Sequence, residues 1–159
     1  MSAFLLDTSF LITLVDDSRP HHADAMRYLR EAVQRGATLY LSAVVVSEFH
    51  AKQPITDLPW RNFHVLPFNI DHGMMAGDWA SVLRRDSGDS RHAVQDDLKL
   101  LAQAVCTSIL YVLTEAEITL AKFARQLEAA GKSTVKAVLL KDGFETAWFE
   151  NGQGRIPGA

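Results

Sequence analysis

At 159 residues with 48% hydrophobic composition, the chain has the size of a single domain that can bury a real core. A net charge of −3 and a pI near 6.0 exclude a protein that holds nucleic acid by bulk positive charge. They leave room for an enzyme whose acidic pocket recruits cations that then meet phosphates. The single cysteine, Cys106, can form no internal disulfide, which suits a reducing compartment. The N-terminal residues lack the features of a secretory leader, and Lys99, Gln103 and Ser108 interrupt the longest apolar run. A cytoplasmic protein without membrane contact is expected.

In chain order, apolar runs of strand length alternate with segments of helical period, the pattern of a sheet covered by helices on both faces. "AFLL" is a first strand, followed by helices from about Ser9 to Val15 and from His21 to Gln34, the second stopped by Gly36. "TLYLS" is a second strand. In "AVVVSEFHA" the valines favour a strand, but Ser42 is a ready N-cap, and a helix is expected. "FHVLPFN" reads as a third strand, before a helix from Asp71 to about Leu83. A turn at 87–90 leads to the helix "AVQDDLKLLAQAVC", then the buried strand "ILYVL", then a helix running to Gly131. Near the end, "VKAVLLKDGFETAWF" sets Asp142-Gly143 between two apolar runs, the signal of a β-hairpin at about 135–150. The expectation is one domain over 1–159, a three-layer α/β/α sandwich with a mainly parallel central sheet, carrying that hairpin as an extension.

The acids give this frame its chemistry. In an open parallel sheet, functional residues gather beyond the carboxyl ends of the strands, and Asp7 ends the first strand. It can cap the following helix or ligate a metal. Glu48 shares a helical face with Val44 and Val45, which aims it inward. In the Asp96-Asp97 pair, Leu100, Leu101 and Ala104 lie three, four and seven residues after Asp97. Asp97 therefore continues the buried stripe and Asp96 turns away. In "LTEAE", Thr114 and Glu117 form a T-x-x-E capping box, which leaves Glu115 as the fourth candidate acid or as a solvated first-turn residue.

Together these residues resemble the scattered acidic set of the PIN-domain ribonucleases, especially the small VapC-like toxins. The carriers are "LLDTSFLITL", "LSAVVVSEFH", "DLKLLAQA" and "YVLTEAEITLAKFA", in that order, across about residues 3–125. One departure is visible: the family's fourth acid falls on Ala116, so Glu115 is either its substitute or the set has three members. The resemblance implies a PIN-like fold and a Mg²⁺- or Mn²⁺-dependent endoribonuclease with Asp7, Glu48, Asp97 and Glu115 as metal-holding catalytic acids. It also implies attack by water leaving 5′-phosphate and 3′-hydroxyl ends, and a homodimer held inactive by an antitoxin. Hard cations held by carboxylates supply what phosphodiester hydrolysis needs. Thr8, Ser9 and Ser42 are candidates to orient those carboxylates. Arg84, Arg85, Arg91, His92 and Lys99, with Arg61 and Trp60 in the loop after Glu48, are candidates to hold RNA phosphates.

Other signals fall away. "AGKST", 130–134, lacks the first glycine of a phosphate loop and follows a helix rather than a strand; His21-His22 has no third zinc-type neighbour; Met74-Met75 reads as core. Two rival readings stand beside the nuclease. A receiver-like signalling domain would take a phosphoryl group from acetyl phosphate. A PIN-like module without catalysis would bind RNA or protein yet fail to cut RNA with metal. The tail, with Phe144, Trp148 and Phe149, either completes the core or docks a partner.

Overall fold

The computed structural model describes residues 2–150. Five strands form one all-parallel sheet: β1 (Ala3–Leu6), β2 (Thr38–Ser42), β3 (His64–Leu66), β4 (Tyr111–Thr114) and β5 (Lys136–Leu139), in the order β3-β2-β1-β4-β5. Six helices connect them: α1 (Thr8–Val15), α2 (His22–Arg35), α3 (Ala43–His50), α4 (Ile70–Trp79), α5 (Arg91–Cys106) and α6 (Lys122–Ala129). The expected α/β/α sandwich is therefore the observed fold. None of the helices among the described residues is long and apolar enough to cross a membrane.

β1 lies in the middle, with Phe4, Leu5 and Leu6 fully buried. A strand covered on both faces needs an unbroken apolar run rather than alternation. Leu6 pairs with Leu41 on one side and Leu113 on the other, and the Asp7 N–H extends the ladder by donating to the Leu113 carbonyl at 3.0 Å. The chain winds outward from β1 in both directions, so the strand order reverses between β1 and β4. In open α/β sheets ligand sites form at such a reversal, beyond the carboxyl ends of the strands, and Asp7 follows directly on β1 there. The order also differs from the 2-1-3-4-5 sequence of receiver-like domains. Ser42 caps α3 by accepting the Val44 N–H, which decides the valine-rich segment for helix. Gly36, at φ 67°, ends α2 in the left-handed conformation that glycine adopts without penalty.

A buried amide ties these layers together. Gln103 on α5 is fully buried, accepts a hydrogen bond from the Ser42 hydroxyl, and donates to the Pro67 carbonyl at 3.0 Å. It thereby satisfies groups at the carboxyl ends of β2 and β3 that have no strand partner there.

Several expectations need correction. β3 is three residues long and lies at the sheet edge, where His64 and Val65 face solvent, and α4 stops at Trp79. Met74 is 67% exposed rather than core. The capping box does not form: the Thr114 hydroxyl donates to Asp7 and accepts from the Ala116 N–H, while Glu117 pairs with Lys141 at 2.5 Å.

The hairpin does not form either. β5 joins the main sheet in parallel beside β4, and the residues after Asp142-Gly143 make a short 3₁₀ turn, Thr146–Phe149, instead of a second arm. The reason is visible in the spacing. Trp148 and Phe149 are consecutive, so a strand would send them to opposite faces. Instead the segment folds over the sheet's aromatic flank. Phe149 meets Phe4 at 4.9 Å between ring centres, Phe144 meets Tyr28 at 4.8 Å, and Trp148 meets Tyr111 at 5.1 Å. The tail completes the core. Phe149→Ala is expected to cost about 3 kcal/mol of stability, measured by urea unfolding, with no change in oligomeric state.

Candidate metal centre

Asp7 follows directly on the central strand and serves as the N-cap of α1, with Oδ1 accepting the Thr8 N–H at 2.8 Å. Its other oxygen, Oδ2, accepts from the Thr114 hydroxyl at 2.6 Å and the Ser9 hydroxyl at 2.8 Å. Each hydroxyl has its own lone pair engaged by a backbone N–H, of Ala116 and Glu115 respectively, so each hydroxyl hydrogen is free to point at Asp7. Burial raises the pKa of the Asp7 carboxyl, and these three donors work the other way. The result is a nearly buried carboxylate with a fixed orientation.

Glu48 comes from α3, and its Oε1 accepts the Thr8 hydroxyl at 3.0 Å. Thr8 thus holds two acids from distant segments, one through its backbone and one through its side chain. Burial pushes the Glu48 carboxyl up, the neighbouring Asp96 and Asp7 charges add to that, and the Thr8 hydrogen bond opposes it.

Asp97 comes from α5. Burial, then the charge of Asp7, then those of Glu48 and Asp96, push its carboxyl up to about 8, while the Thr119 hydroxyl works the other way. Its Oδ2 is buried without any hydrogen-bond partner. Three acids spread over the first 97 residues are therefore near enough for their charges to act on one another, though their oxygens do not all lie within 4.8 Å of each other. Asp96 is less remote than periodicity predicts: it is held by Lys99 at 3.6 Å, and its charge bears on Glu48 more than that of Asp7 does.

This donor set fits a hard divalent cation. All its members are carboxylate oxygens, and an orphaned buried oxygen is the group that a cation would satisfy. A second cluster, Asp71, His72 and Cys106, has ligand atoms within 4.8 Å of one another but fits a metal poorly. His72 Nδ1 accepts the Asn69 N–H at 3.0 Å, which leaves the proton of the neutral ring on Nε2, the nitrogen that would have to ligate.

Glu115 is not brought to the three acids. Its Oε2 accepts from Thr13 at 2.6 Å and pairs with Arg19 at 3.0 Å, while Arg19 Nε also donates to Thr13. This closed network faces the loop after α1, so the fourth predicted site residue is tied to a structural partner. Glu115→Gln leaves Asp7, Glu48 and Asp97 in place, so it is expected to change Mn²⁺ affinity by no more than about threefold, which a metal titration checks. Ser42 likewise serves α3 and Gln103 rather than an acid. The residue that sequence reasoning misplaced is Thr114, whose signal was read as a local cap although it points across the sheet to Asp7.

An open parallel sheet with carboxylates at the reversal beside its central strand defines the class: an α/β domain with an acidic cluster at the carboxyl edge of its sheet. The sequence profile of the PIN domain matches residues 4–95, more than half of the chain, and the chain belongs to the PIN domain family. The matched span contains Asp7 and Glu48 and ends two residues before Asp97. Among solved structures, the fold is similar to VapBC2 of Rickettsia felis bound to a promoter DNA fragment. The identity is 10%, 86% of this chain and 98% of that chain are covered, and the TM-score is 0.58. It is also similar to Mycobacterium tuberculosis VapC20, a sarcin-ricin-loop-cleaving toxin, at 17% identity, 83% and 98% coverage and TM-score 0.56. DNA-bound VapBC of Salmonella typhimurium gives 17%, 88% and 99%, and 0.56. No curated protein matches the sequence.

Proposed function

We propose that this protein is a Mg²⁺- or Mn²⁺-dependent endoribonuclease, the toxin of a toxin–antitoxin pair, with Asp7, Glu48 and Asp97 as the acids that hold the metal. The observation that carries the reading is the convergence of three carboxylates from three segments on a crevice where Asp97 keeps a buried oxygen without a partner. Asp7, Glu48 and Asp97 would hold the ion, which would supply polarisation of the scissile phosphate and activation of the attacking water. Thr8, Ser9 and Thr114 hold Asp7 and Glu48 in fixed orientations. The exposed basic side chains around the start of α5 draw the RNA backbone toward this acidic centre.

An antitoxin partner is supported by the VapBC complexes whose toxins share the fold. A homodimer is supported by apolar side chains left in water on α4 and β3, with Ile70 83%, Met74 67% and Val65 63% exposed. A cytoplasmic site of action follows from an RNA target and an unpaired cysteine.

The test is cleavage of total and synthetic RNA by purified protein with Mn²⁺, Mg²⁺ or EDTA, followed by sequencing of the cut ends. Metal-dependent cuts with 5′-phosphate ends are expected. A protein that binds Mn²⁺ and RNA yet cuts neither pool would instead be a binding module.

A further inference from the structure

The loop between α4 and α5 is fastened to α6 by one lysine. Lys122 Nζ donates to Asp86 Oδ2 at 3.0 Å and to Asp89 Oδ2 at 2.8 Å, and only 17% of its side chain is exposed. Asp89 is 9% exposed, and its Oδ2 also accepts the Asp86 N–H at 2.8 Å, so the turn is closed around the ammonium group. One turn further along α6, Gln126 accepts the Arg84 N–H at 3.0 Å. α5 and α6 lead to β4 and β5, which run parallel to the other strands, so both helices begin on the carboxyl side of the sheet. The loop therefore lies at the same edge as the three acids, and Ser90 starts the helix that carries Asp97.

The charges in this loop would ordinarily neutralise one another. Arg84, Arg85 and Arg91 share a short exposed segment with Asp86 and Asp89, and the Arg85 charge already acts on Asp89. Yet among the described residues none of these arginines is in an ion pair, because Lys122 engages both carboxylates. Resting on the nuclease reading above, we propose that Lys122 is a positioning residue for RNA. By engaging Asp86 and Asp89 together, it fixes the loop and leaves Arg84, Arg85 and Arg91 unpaired for the phosphates of single-stranded RNA entering the metal centre. A cation facing inward thus sets the charge of a surface facing outward. The acids of the loop are neutralised from beneath, and its guanidinium groups, whose planar fork suits phosphate oxygens, remain available.

The test is fluorescence anisotropy of a short labelled single-stranded oligoribonucleotide, in EDTA so that nothing is cut, over a range of salt. Lys122→Met is expected to weaken binding about tenfold. It should also reduce the salt slope by about 1, as two arginines turn from phosphate to Asp86 and Asp89. Adding Asp86→Asn and Asp89→Asn to Lys122→Met should restore the affinity, because the arginines again have no acidic neighbour. A merely structural lysine would not be rescued this way. Arg84→Ala with Arg85→Ala should give the same loss without touching the clamp, which keeps the test valid if Lys122→Met alone folds poorly. Wild-type binding to RNA with equal affinity in Lys122→Met, or no rescue in the triple variant, overturns the proposal. Weakened binding of polyglutamate with RNA affinity unchanged would assign the surface to a protein partner and also overturn it. Failure of the wild-type protein to bind or cut RNA at all would instead refute the nuclease reading itself.

Discussion

Asp97→Asn is expected to raise the melting temperature of the metal-free protein at about pH 8 and to change it little at about pH 4. The Asp97 carboxyl is pushed up to about 8 from an ordinary value of 3.8, chiefly by burial and by Asp7. Below the ordinary value, the group is protonated in both the folded and unfolded chain and contributes nothing. Between the two values the unfolded chain is ionised while the folded one keeps its proton, so stability falls as pH rises, by up to ~1.4 kcal/mol per unit. Above about 8 the loss is complete. Partial contact with solvent tempers it, to an order of 2–4 kcal/mol. Asparagine cannot ionise, so this part of the slope disappears, and the contributions of Asp7 and Glu48, both also raised by burial, remain. Saturating Mn²⁺ should stabilise the wild-type protein more at pH 8 than at pH 5, since the ion must displace the proton. Parallel pH profiles for the two proteins would show that Asp97 is no such reservoir. In the cleavage assay, the same substitution is expected to cost at least ~10²-fold, and Asp96→Asn under ~10-fold, because Asp96 stays paired with Lys99 at the rim.

Asp7→Asn is expected to abolish RNA cleavage, by ~10³-fold or more, in a protein that remains folded. Its oxygen Oδ2 lies under the Ser9 and Thr114 hydroxyls, and an asparagine carbonyl can accept both hydrogen bonds. The amide nitrogen then faces the Thr8 N–H, which loses its cap acceptor at a cost of about 1 kcal/mol. Removing a buried charge beside Asp97 offsets that cost. The variant should therefore melt close to the wild type without metal and gain almost nothing from Mn²⁺. Cleavage at the wild-type rate by a folded Asp7→Asn protein would end the metal-centre reading, leaving Asp7 as a helix cap alone.

Asp7 is also where sequence and structure meet most closely. Its cap reading is realised, because one carboxylate oxygen accepts the first N–H of α1, while the other is held by two hydroxyls and faces the other acids. Asp97 was legible from three leucine and alanine positions on α5, since a helical period states which side faces the core. Glu115 was not: adjacency to β4 gave its place along the chain, but nothing local records that Arg19, 96 residues earlier, would reach it. The same limit explains Thr114. A threonine three residues before a glutamate makes a capping box by short-range rules, and only the parallel pairing of β1 with β4 brings Thr114 within 2.6 Å of Asp7.

By itself, then, the sequence determined the alternation of strands and helices, the buried β1, the helix stop at Gly36 and start at Ser42, and the inward side of α5 that carries Asp97, all of which depend on period, propensity and capping within a turn or two. Tertiary structure alone decided the order β3-β2-β1-β4-β5, the partner of Glu115, the proximity of Asp96 to Glu48, and the folding of the tail over Phe4 and Tyr28 rather than into a hairpin. Those outcomes depend on which distant surfaces can bury the most apolar area and satisfy the most polar groups at once. That balance is a property of the assembled chain, carried by contacts between residues up to a hundred or more positions apart.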